Sequence, residues 1–156
     1  MIRERNGFIQ IIVVLAIALI VFLVLLLIFP KSQPIIGVET NINPQKFKTT
    51  QQSVLTLSLT NNDQTNAHTV ELRFVTNYLV HIYIGASELA HQESGSGNYT
   101  YNTTLQPAQK TEQPFIVKVT GLPIGIASQE FSITVEVYVD ARLTTTQKVR
   151  FTVEEA

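Results

Sequence analysis

The feature that most constrains this chain is an unbroken apolar run near its N-terminus. Residues 8–29 read FIQIIVVLAIALIVFLVLLLIF, with Gln10 as the one polar interruption and none from Ile11 to Phe29. At about 1.5 Å per residue a helix of this length crosses the roughly 30 Å hydrocarbon core of a bilayer. An all-round aliphatic helix has no polar face to offer water, which argues against a buried helix of a soluble domain. The stretch also exceeds the roughly 7–15 apolar residues of a cleaved secretory signal, and IFPKSQP supplies no small-x-small cleavage site. An uncleaved signal anchor is therefore expected. Its parts are a tail at 1–7, a transmembrane helix at 8–30 and a short tether at 31–34, leaving 35–156 as the folded domain. Arg3 and Arg5 ahead of the run favour a cytoplasmic N-terminus and an extracytoplasmic C-terminal domain at the cell membrane. No ionisable residue interrupts the run, so an ion pathway through it is not expected.

The rest of the chain excludes several functional classes. There is no cysteine, which removes thiol catalysis, thiolate metal sites, disulfides and lipoprotein-type anchoring together. The formal net charge is −1, without a basic patch for nucleic acid. An exported domain without disulfides has to stand on its apolar core, which a domain of roughly 120 residues can supply.

After Pro34 the apolar period changes to strict alternation. SVLTLSLT turns Leu55, Leu57 and Leu59 to one face, and EFSITVEVYVD does the same with Phe131, Ile133, Val135, Val137 and Val139. VRFTVE repeats the pattern. Period two with β-branched residues marks half-buried antiparallel strands. Strands are expected near 35–40, 53–61, 68–76, 79–84, 98–105, 114–120, 130–140 and 145–154. Turn residues at 61–63, 95–97 and 121–123 separate them. Seven or eight short strands imply an all-β, immunoglobulin-like antiparallel sandwich.

Two resemblances add to this reading. FKTTQQSVLTLSLTNNDQTNAHTVELRF followed by PAQKTEQPFIVKVTGLPIGIASQEFSITVEVYVD resembles the CARDB-type immunoglobulin-like modules of archaeal and bacterial surface proteins. That resemblance implies an adhesive or scaffolding role and transfers no catalytic residue. Gly7-Phe8 followed by IQIIVVLAIALI resembles the processing site and first helix of type IV pilin-like subunits. It implies cleavage after Gly7 to expose Phe8, although Ile12 stands where those subunits carry a glutamate. Membrane-anchored stator components of the archaeal motility filament are an architectural parallel.

Candidate sites are few. Asn98-Tyr99-Thr100 and Asn102-Thr103-Thr104 are N-glycosylation sequons whose asparagines share one face of a strand. His68, His81 and His91 fall on separate elements, so no metal site is expected. Asn61, Asn62 and Asp63 are read as a tight turn, and Glu71, Glu88, Glu136 and Asp140 as acids scattered over solvent faces. Ser96 between glycines lacks a strand–turn–helix setting, so no catalytic residue, enzyme activity or cofactor is expected. The apolar loop Gly121–Ser128 is expected either to plug one end of the sandwich or, through Leu122, Ile124 and Ile126, to form a membrane-proximal contact. The expected partners are the lipid bilayer through the helix and an envelope, surface-layer or appendage protein through the sandwich. Homo-oligomerisation is left open, and no nucleic acid is expected.

Overall fold

In the computed structural model, residues 14–21, 34–92 and 97–156 are described. The chain divides into two units, Met1–Gln33 and Pro34–Ala156. In the first, residues 14–21 form a helix, α1, and its side chains are exposed. No helix among the described residues is long and apolar enough to cross a membrane. The remainder of the expected 8–30 span, the tail at 1–7 and most of the tether lie outside the described residues.

The second unit is all β. Its strands are β1 Ile36–Asn43, β2 Lys46–Lys48, β3 Ser53–Asn61, β4 His68–Val75, β5 Val80–Ile84, β6 Ser87–Glu88 and β7 Ala90–His91. They continue with β8 Asn98–Leu105, β9 Lys110–Val119, β10 Ser128–Val139 and β11 Arg142–Glu154. One sheet has the order β1-β3-β9-β5-β6 and the other β2-β11-β10-β4-β8-β7. Every pair is antiparallel except β2 with β11, which is parallel. The expected all-β, two-sheet sandwich is present.

Alternation sets the packing. Leu55, Leu57 and Leu59 of β3 and Ile133, Val135 and Val137 of β10 are fully buried, while the residues between them face outward. Aromatic rings link the two sheets. Phe115 of β9 meets Phe74 of β4 edge-on at 5.0 Å and Tyr101 of β8 at 5.3 Å. Such offset geometries suit the ring quadrupoles. A second group, Phe47, Phe151 and Phe131, stacks side by side across β2, β11 and β10.

The structure corrects the expected strands in three places. The first strand continues to Asn43 and then changes sheet through Pro44, giving β2 beside β11. Buried Ser53 secures this crossing by donating its hydroxyl to the Pro44 carbonyl at 2.6 Å. The strand expected from 114 begins at Lys110, with Pro114 inside it. Thr120 donates its amide towards the β5 side, to the Leu79 carbonyl, and by the two-residue alternation Pro114 faces the same way. There β5, whose pairing with β9 covers Ile116 to Val119, leaves the edge open, so the proline costs no ladder bond. The third change is the pair of two-residue strands β6 and β7, inside a segment with no expected strand.

One buried polar side chain closes an end of the core. Asn61, 1% exposed, donates from Nδ2 to the carbonyls of Asn66 and Gln106 at 2.9 Å and of Leu105 at 3.3 Å. Its Oδ1 accepts the Asp63 amide at 3.0 Å. It thus ties the end of β3 to the β8–β9 turn. Removing the amide leaves covered carbonyls without a donor, at a cost of about 1–3 kcal/mol. Chemical denaturation should show Asn61→Ala losing stability in that range, whereas Thr146→Ala on the open surface should change little. Equal stability of the two variants would refute this role.

Candidate functional site

Strand directions define the two ends of the sandwich. β1 leads away from Pro34, β3 returns, and β9 runs parallel to β1. The Pro34 end therefore gathers the turns at 61–67, 106–109 and 140–141. The opposite end gathers those at 44–52, 76–79 and 120–127. The apolar loop 121–128, expected either to plug one end or to form a membrane-proximal contact, lies at the end opposite Pro34. Its expected position assumed that each strand simply reverses the previous one, but the segment carrying β6 and β7 adds one further return along the sandwich. Leu122 packs against the core as a plug would, while Ile124 is fully exposed and Ile126 40% exposed. The local chemistry explains this exposure. Ile126 donates its amide to the Pro123 carbonyl, closing a turn with Gly125 at φ +83°, which leaves Ile124 at the outer corner. Exposed Tyr78 stands on the neighbouring β4–β5 connection.

Histidine placement departs from the expectation of isolated, solvated residues. His68 lies between two carboxylates, with Nδ1 2.6 Å from Asp140 and Nε2 3.2 Å from Asp63. Ionised carboxylates only accept, so both contacts become hydrogen bonds when the ring is protonated. The Asp140 hydrogen bond, then that of Asp63, raises the His68 pKa. Asp140 is lowered by His68 and by the Thr69 amide. Asp63 is lowered chiefly by its own turn, through the Asn66 side chain and the Thr65 amide and hydroxyl. The expected Asx turn at 61–63 is therefore present and serves as half of a clasp. The other half is the two-residue β10–β11 turn, where Asp140 and Ala141 both adopt positive φ.

His81 and His91 converge on Glu88. His81 Nδ1 is 2.6 Å and His91 Nε2 3.3 Å from Glu88 Oε1, and the Tyr99 hydroxyl donates to the same oxygen at 3.2 Å. Burial on its own would raise the Glu88 pKa, but the His81 bond, with further help from Tyr99 and His91, brings it below the usual range. Burial, reinforced by the Glu88 charge, pushes the Tyr99 hydroxyl up. Among the described residues no group of three or more His, Cys, Asp or Glu side chains is placed to hold a metal ion. The cluster works as a strap: Glu88 lies between β5 of one sheet and β8 of the other, and Leu89 is buried behind it.

Among the described residues the opposite margin has no strap. β1 borders one sheet and β11 the other, and β2 covers β11 only from Thr152 to Glu154. A cleft of about 530 Å³ lies in this seam, walled by residues 40–42 and 148–150 and floored by buried Ile42 and Val149. This open seam is the candidate functional site. No sequence signal marked it, because strand order is not written in local periodicity.

No family model and no curated protein matches this chain. Among solved structures, it is similar to the alkylpurine DNA glycosylase AlkC of Pseudomonas fluorescens bound to abasic-site DNA. The identity is 8% and the TM-score 0.47, over 78% of this chain and 31% of that one. It is also similar to the sporulation control protein Spo0M of Bacillus subtilis, at 16% identity and TM-score 0.49, over 78% of this chain and 50% of that one. A third is a PapD-like domain of human CEP192, at 12% identity and TM-score 0.35, over 82% and 90%. The chain thus spans half or less of the first two proteins.

The remaining expected sites are placed as follows. Asn98 and Asn102 lie on the outer face of β8, Asn102 being the more exposed. Glu71 pairs with Arg73 at 2.6 Å, and Arg73 covers the Tyr138 ring at 4.1 Å. Gly7, Phe8 and Ser96 lie outside the described residues.

The clasp has a pH signature. Raised in the fold, His68 contributes stability that is complete below its unfolded value near 6.5 and fades as pH rises through its folded value. Lowered, Asp140 and Asp63 contribute above their unfolded value near 3.8 and lose it as pH falls. Melting temperatures of the wild type and His68→Gln should differ most between about pH 4 and 6.5 and converge at high pH. A difference independent of pH would refute the clasp.

Proposed function

We propose that this chain is a membrane-anchored, extracytoplasmic structural protein whose immunoglobulin-like sandwich docks to another envelope or surface-appendage component. The observation that carries the docking reading is the inequality of the two margins: one is strapped by Glu88 and Leu89, while the other leaves β1 and β11 open over an apolar-floored cleft. Proteins usually blunt or cover strand edges, so an uncovered one invites a partner. The apolar run at 8–29 supports anchoring, since water cannot solvate it as a helix. A tether of four residues, reaching about 14 Å, keeps the Pro34 end within reach of a bilayer. Tyr78, Ile124 and Ile126, at the end of the sandwich opposite Pro34, offer a second contact. Exposed Asn102 and half-buried Asn98, on the same face of β8, would take glycans in a host that attaches them.

A pilin-like subunit is the second reading, favoured by Gly7-Phe8 ahead of the apolar run. The mass of the native N-terminus separates the two, because a pilin-like subunit starts at Phe8. For docking, photo-crosslinking from residue 148 in intact cells should give a discrete adduct with one envelope protein, absent when the crosslinker stands at exposed residue 112 on the other sheet. Indistinguishable patterns from the two positions would overturn the docking reading.

A further inference from the structure

We infer that the open edge of β11 receives an added strand from a partner protein, an extended segment with carboxylates at alternate positions. This rests on the docking reading above and names the partner chemistry. Thr152 donates its amide outward to the Gln45 carbonyl at 2.8 Å. By the two-residue alternation Arg150, Lys148 and Thr146 direct their amides and carbonyls the same way, and the β10–β11 register is continuous through all of them. Among the described residues no strand meets these groups. They present an edge to which an extended peptide adds by main-chain hydrogen bonding.

Charge selects the occupant. Lys148 and Arg150 are exposed on the outer face of this edge, and Arg142 begins the strand. Lys148 has no ion-pair partner among the described residues. Arg150 lies 3.9 Å from Glu130, with both side chains about two-thirds exposed, so it is loosely held. Two copies pairing β11 to β11 would set these cations against each other, and like charges directly opposite destabilise a sheet. Edge lysines are a common guard against such self-pairing. The cations that reject a second copy attract carboxylates on the outward face of an incoming strand. Its inward face meets Ile42 and Val149, which favours small apolar side chains there.

The test uses the full chain in detergent micelles and hydrogen exchange read by mass spectrometry. The probes are three capped eight-residue peptides: alternating Val and Glu, alternating Val and Lys, and the Val/Glu peptide with every backbone amide methylated. The Val/Glu peptide should slow exchange in the 142–151 fragment at least threefold, and the other two should leave it unchanged. The doubly substituted variant Lys148→Glu with Arg150→Glu should reverse the preference towards Val/Lys. No slowing at 142–151, or equal slowing by the methylated peptide, overturns the proposal. Protection that grows with protein concentration in the absence of peptide also overturns it, in favour of a second copy. If the peptides fail while the crosslinked adduct from residue 148 persists, the strand-addition mode is wrong and docking stands. If both fail, docking falls as well.

Discussion

The sandwich depends on one constraint: every long strand turns alternate residues into a single apolar core that no disulfide reinforces. Because the side-chain period of a strand is two, a slip of one residue in β3 or β10 would carry leucines and valines to water. Burial therefore fixes register as well as stability. The inter-sheet rings of Phe74, Phe115 and Tyr101 then set how the layers meet. With the interior committed to packing, chemistry and recognition are left to turns, outer faces and edges. The polar side chains that carry weight, Asn61 and Ser53, sit where the chain turns or changes sheet.

Much of the fold was legible because burial writes itself into the sequence as alternation. β3, β4, β10 and β11 follow from their inward-facing residues, and the Asx turn at 61–63 from its composition. The unread parts have identifiable causes. β2, β6 and β7 are too short to establish a period. The polar end of β1, Asn41-Ile42-Asn43, has low strand propensity although its isoleucine is buried. The return made by β6 and β7 puts the loop bearing Ile124 at the end opposite Pro34, where simple reversal of successive strands would put it at the Pro34 end. The histidine clusters escaped for another reason. His68 meets Asp140 across 72 positions of sequence, and His81 reaches Glu88 across a hairpin, so neither is a local motif. Scattered acids in the sequence became partners in the fold.

These features divide the labour within the sandwich. The Pro34 end is polar and clasped by ion pairs, one margin is strapped, and the opposite end carries an exposed apolar turn. Among the described residues no strand covers β11 ahead of Thr152 at its margin with β1. A strap on one side and an open seam on the other suit a subunit joined to a partner in a defined direction. In the proposed docking, the cations along β11 discourage self-association and favour a strand of opposite charge.

The account stands most directly on the proposed topology, an anchored chain with its sandwich outside the cell. The natural absence of cysteine makes this simple to measure. A single cysteine at exposed position 112, on the outer face of β9, can be labelled in intact cells with a membrane-impermeant maleimide, followed by alkaline extraction of the membranes. The account predicts labelling without permeabilisation and retention of the labelled protein in the membrane pellet. Labelling only after lysis, or release into the alkaline supernatant, would contradict it.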